Sequence, residues 1–67
     1  MNRDEIAAEM RAEKAKYPGG ATEYVLAVGH IHGIANIAAP WLSDADRLAE
    51  IREVLAALDL VHQEAAR

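Results

Sequence analysis

The sequence predicts an all-α fold, in which a short N-terminal helix precedes an antiparallel helical hairpin. Alanine is the commonest residue and the strongest helix former. Two breaks, Tyr17-Pro18-Gly19-Gly20 and Pro40, divide the chain into three segments, and apolar residues recur at intervals of three and four within them. We interpret residues 1–67 as one small helical domain, with helices at about 2–16, 22–38 and 43–66.

The length and composition favour association with another chain. A chain of 67 residues buries only about 60% of the surface that its unfolded form exposes. The sequence has no cysteine, so disulfides cannot compensate for the small core. We therefore expect a homo-oligomer, with a dimer favoured, in which two hairpins pair into a helical bundle. The net charge of −4 opposes nucleic-acid binding, and nothing in the sequence calls for a cofactor.

The first predicted helix has a narrow apolar stripe of Ile6, Met10 and Tyr17. Asn2 or Asp4 is placed to cap its N-terminus. A helix with so narrow a stripe is marginal alone, so we expect it to be loosely held. These three apolar side chains are then candidate contacts with a partner.

The second predicted helix is apolar on most sides, with Thr22 as its expected N-cap and Glu23 as its one formal charge. Its broad apolar face comprises Tyr24, Ala27, Val28, Ile31, Ile34, Ala35 and Ala38. The opposite side is formed by small or moderate side chains, and its glycine spacing allows another backbone to approach closely. We predict that this side is a partner or oligomer interface formed by Val25, Gly29, Gly33 and Asn36.

An alternative strand over residues 24–34 would place His30 and His32 on one face, where two imidazoles could share a metal ion. We favour the helix because the Val and Ile residues are spaced by three. On a helix the two imidazoles point about 200° apart and cannot chelate one ion together. We therefore predict no metal site.

The third predicted helix begins with Ser43 as N-cap and acidic residues in its first turn. Its apolar seam follows a heptad spacing through Leu48, Ile51, Leu55, Leu58, His62 and Ala65, which Val54 and Val61 widen. The charges off this seam are interpreted as solvated: Arg47, Glu50, Arg52, Glu53 and Glu64. Trp41 and Leu42 are expected to cover the hairpin end. His62 is a boundary residue or, alternatively, a proton switch on association.

A membrane span is not expected, although residues 22–39 approach the minimum length for one. The polar side chains of Glu23, His30, His32 and Asn36 are costly in hydrocarbon. The first ten residues have no apolar signal-peptide core, so we expect a cytoplasmic location.

No motif indicates catalysis, since Ser43 is explained as a cap and Gly19-Gly20 lacks the residues of a phosphate-binding loop. The leading hypothesis is a non-enzymatic protein–protein interaction module, such as a phage or bacterial regulator, adaptor or inhibitor. An alternative is a small-molecule or nucleotide-binding protein, with an inter-chain pocket lined by Tyr24, His30, His32 and Trp41. A metal-dependent enzyme is a third hypothesis, and it requires the strand over residues 24–34.

Overall fold

The computed structural model describes residues 2–66 as three packed helices. α1 spans Arg3–Lys16, α2 spans Thr22–Asn36 and α3 spans Asp44–Ala65. The predicted all-α class is confirmed. The strand alternative is wrong, because the whole of residues 24–34 lies within α2.

Two of the three predicted N-caps are confirmed. The Asn2 side chain accepts a hydrogen bond from the backbone N–H of Glu5 at 2.9 Å. Ser43 and Asp46 form a reciprocal capping box, with bonds of 3.1 and 3.2 Å. The prediction for Thr22 is wrong, because Ala21 occupies the N-cap position of α2 without a side-chain bond. Thr22 is already helical, and its buried Oγ1 has no hydrogen-bond partner among the described residues.

α2 ends at Asn36, two residues before the predicted end. Ile37 adopts an extended conformation, and its N–H still donates to the Gly33 carbonyl at 2.9 Å. The guanidinium of Arg47 donates to the carbonyls of Ile34 and Ile37 at 2.5 and 2.7 Å. A cation is favourable at the negative end of a helix dipole, so Arg47 caps α2 from α3. The interpretation of Arg47 as merely solvated is wrong.

α2 runs antiparallel to α3, as predicted, while α1 runs parallel to α3. The Arg3 backbone N–H donates to Glu53 Oε2 at 2.8 Å, and Arg11 Nε donates to Glu64 Oε2 at 2.9 Å. These two acidic side chains of α3 are therefore engaged with α1 rather than simply solvated. The start of α1 lies beside Glu53, so residues 44–52 of α3 extend beyond it.

The core lies where the three helices meet. Its buried members are Ile6, Ala7, Met10, Ala27, Val54, Ala57 and Val61. The prediction that Ile6 and Met10 contact a partner is wrong, because both are almost completely buried within this chain. α1 is therefore an integral part of the bundle, and only Tyr17 of the predicted α1 contacts is exposed.

The predicted apolar faces of α2 and α3 are partly confirmed, since Ala27, Ile31 and Ile34 of α2 and Leu58 of α3 belong to the core or pack against it, but other predicted members are exposed. The buried stripe of α2 runs through Glu23 and Ala27, whereas Tyr24 and Val28 are exposed. Ala35 and Ala38 of the predicted apolar face are exposed as well. On α3, Val54, Ala57 and Val61 are buried, and the seam residues Leu48 and Leu55 are about half exposed. α3 contacts both α1 and α2, so its buried face is centred between two neighbours rather than on one heptad seam.

Candidate interaction surface

An apolar groove of about 750 Å³ runs along α2, and we call it the α2 groove. Its lining residues are Val25, Leu26, Gly29, His30, Gly33, Ile34, Ile37, Leu42 and Glu50. Glu50 is the α3 residue of this lining. It lies one turn before Glu53, beside which α1 begins. The groove therefore includes the part of the hairpin that extends past the start of α1.

Three of the four interface residues predicted on α2 line this groove: Val25, Gly29 and Gly33. A Cβ atom added to either glycine would meet no described atom within 4 Å. Asn36 is exposed on the same helix, and its amide donates to the His32 carbonyl at 2.8 Å. The structure leaves all four residues at the surface. Their contact with a partner remains a prediction.

Apolar side chains of α2 and of the segment that follows it are exposed. Trp41 is 80% exposed, Val25 is 71% exposed and Val28 is 67% exposed. The prediction that Trp41 covers the hairpin end is wrong, because most of its side chain is exposed, while Leu42 is partly buried. Residues 24–43 contain no Asp, Glu, Lys or Arg, so this surface combines exposed apolar area with an absence of formal charge.

The four residues predicted to line an inter-chain ligand pocket have separate surroundings within one chain, and that pocket stays a prediction. The Tyr24 ring contacts His62, with ring centroids 5.0 Å apart. His30 lines the α2 groove, and its Nε2 lies 2.9 Å from Glu9 Oε2. His32 and Trp41 are exposed to solvent. Within residues 2–66, no group of three or more His, Cys, Asp or Glu side chains is arranged to hold a metal ion.

The buried carboxylate of Glu23 was missed by the sequence analysis. Lys14 Nζ of α1 lies 2.9 Å from Glu23 Oε2. The bond from Lys14 holds the pKa of the Glu23 carboxyl below its usual range, burial opposes that shift, and nearby His62 supports it weakly. The two residues flank the Tyr17–Gly20 turn, which brings α1 and α2 together. We assign this ion pair a structural role.

No protein-family model, curated protein or solved structure matches this chain. Between residues 2 and 66, no helix combines the length and apolar character that crossing a membrane requires.

Proposed function

We propose that this chain is a non-enzymatic protein–protein interaction module that binds its partner through the α2 groove. The observation that supports this proposal most directly is an open apolar surface without formal charge, formed by Val25, Gly29, Gly33 and Ile37. Contiguous apolar patches on a small protein mark contact surfaces, because leaving them in water is unfavourable. A groove bounded by a helix suits an apolar helical segment of a partner.

The engagement of the chemically capable side chains supports the non-enzymatic part of this proposal. Ser43 is hydrogen-bonded in the capping box, Glu23 is paired with Lys14, and His30 is paired with Glu9. Each of these groups stabilises a helix end or a contact between helices. The role of a regulator, adaptor or inhibitor fits such a chain, which acts by occupying a surface.

A second candidate function is small-molecule binding in the same groove. Its volume of about 750 Å³ lies within the roughly 300–1,000 Å³ of typical ligand sites. His30 and Glu50 place polar groups in an otherwise apolar lining, which is also common in such sites. Of the residues predicted to line an inter-chain pocket, only His30 lines this groove.

Native mass spectrometry of the purified chain tests the proposal against this second candidate. We expect the wild-type chain to retain a polypeptide, either a second copy or another protein, and Gly33→Glu to lose it. Glutamate is a good helix former and its Cβ meets no described atom within 4 Å, so the variant should fold. Ala15→Glu adds the same charge at an exposed position of α1 and should retain the partner.

Two outcomes would contradict the proposal. The first is a bare single chain that also fails to associate by light scattering. The second is a bound species of a few hundred daltons, about the size of a drug-like ligand, which would support small-molecule binding instead.

A further inference from the structure

We infer that the occupant of the α2 groove is a second copy of this chain, with the two α2 helices crossing at Gly29 and Gly33 about a two-fold axis. This inference rests on the proposed function and names its partner. Three features of the molecule carry it: the distribution of charge, the amount of open surface, and the space at the two glycines.

The distribution of charge leaves this face available to an identical chain. Each copy carries a net charge of −4, so most surfaces of two copies would repel when brought together. The acidic residues lie in the segments before Tyr24 and after Ser43. The α2 side of the groove has no formal charge, and Glu50 is the one acidic residue of the lining, so two acidic copies can meet there with few like charges juxtaposed.

The open surface is sufficient for a dimer of ordinary size. The chain exposes 4586 Å², whereas a compact monomer of 7.3 kDa is expected to expose about 4,200 Å². A standard interface buries about 800 Å² on each partner, which is roughly a sixth of this surface. Trp41, at 80% exposure, alone offers on the order of 150 Å² of exposed surface. Val25, Val28 and Ile37 add further exposed apolar area.

The glycines permit the close approach that a helix crossing requires. Gly29 and Gly33 lie one turn apart, and the space in front of both is open to 4 Å among the described residues. Two interior glycines lower helix stability by about 1 kcal/mol each relative to alanine, and among residues 2–66 no contact requires them. In a two-fold pair, a residue near the axis lies close to the same residue of the other copy.

A charge-swap experiment uses this property of a two-fold axis. Gly29→Glu and Gly29→Lys each place a like-charged pair at the crossing, while both side chains favour helix. Wild-type chain at about 100 µM should sediment at twice its 7.3 kDa mass. Each variant alone should self-associate at least about 100-fold more weakly. An equimolar mixture of the two variants should associate more tightly than either variant alone, because its charges are opposite, but less tightly than the wild type, because two long side chains widen the crossing.

Ala15→Glu and Ala15→Lys are the matched controls, since they change an exposed position of α1, and they should dimerise as the wild type does. Circular dichroism checks that every variant remains helical. Three results would overturn the inference: a wild-type monomer at about 100 µM, undiminished association of the single variants, or a mixture that associates no more tightly than the single variants. A wild-type chain that binds only a different polypeptide would also overturn it, although the proposed function would then stand.

Discussion

At the scale of single residues, two charged side chains hold the helices in place from neighbouring elements. Arg47 of α3 caps the C-terminal carbonyls of α2, and Lys14 of α1 pairs with the buried carboxylate of Glu23 on α2. Neither contact can be predicted from local sequence. The caps that sequence spacing predicts bond only to residues three positions away. A charge that bonds across elements is identified only once the helices are packed.

The Glu23–Lys14 pair predicts a specific dependence of stability on pH. The pKa of Glu23 is lowered in the folded state, so its contribution is present above the unfolded value of about 4.3 and is lost as the pH falls through the folded value. Lys14→Met leaves a buried carboxylate without its cation, and we expect it to lower the free energy of unfolding at pH 7 by about 1–3 kcal/mol. Its stability should also fall less steeply between pH 5 and 3, the range around the unperturbed pKa.

Urea titrations at several pH values measure both effects. Lys16→Met is the matched control, because Lys16 is exposed and its nitrogen lies 3.6 Å from a Glu13 oxygen in the same helix. Its effect should stay within about 0.5 kcal/mol, as for other surface pairs. If Lys14→Met and Lys16→Met had equal effects on the free energy of unfolding, the structural role assigned to the Glu23–Lys14 pair would be refuted.

At the scale of helices, the sequence was sufficient for their number, type and approximate ends, because breaks and caps act locally. It was not sufficient for their buried faces. The heptad seam through Leu48 and Leu55 is a real periodicity, but α3 turns Val54, Ala57 and Val61 inwards to contact two helices at once. The contribution of α1 to the core was underestimated for a related reason. Even a narrow apolar stripe is well buried when its helix packs against two other helices.

The position of Met10 tests this revised role of α1. Met10 is completely buried in the core, so Met10→Ala removes packed atoms and leaves a cavity. We expect a loss of about 2–5 kcal/mol, which is a large part of the roughly 3–10 kcal/mol available to a chain of this size. Thermal unfolding followed by circular dichroism measures the change.

Tyr17→Ala is the comparison, since Tyr17 is exposed on the segment that follows α1. It should cost less than about 1 kcal/mol. If Met10→Ala unfolded no more readily than Tyr17→Ala, α1 would be peripheral, as the sequence first indicated.

At the scale of the whole molecule, the chain is elongated, with extents of 39 × 19 × 14 Å, and one helix face is left open. The glycine spacing predicted that face from sequence, and the exposure of Val25 and both glycines agrees with it. The groove itself was not predictable, because it depends on where α1 begins along the hairpin. The predicted inter-chain ligand pocket stays a prediction, and of its residues only His30 lines the groove.

The central claim, that a second copy covers this face, is tested most directly by thiol labelling of Val25→Cys, since the chain has no cysteine of its own. Val25 is 71% exposed in the single chain, so a thiol there should react freely when the protein is dilute. With reagent in excess, we predict that its labelling slows several-fold between about 1 µM and 1 mM protein, while Ala15→Cys labels at a constant rate. Equal, concentration-independent labelling of both variants would contradict the account.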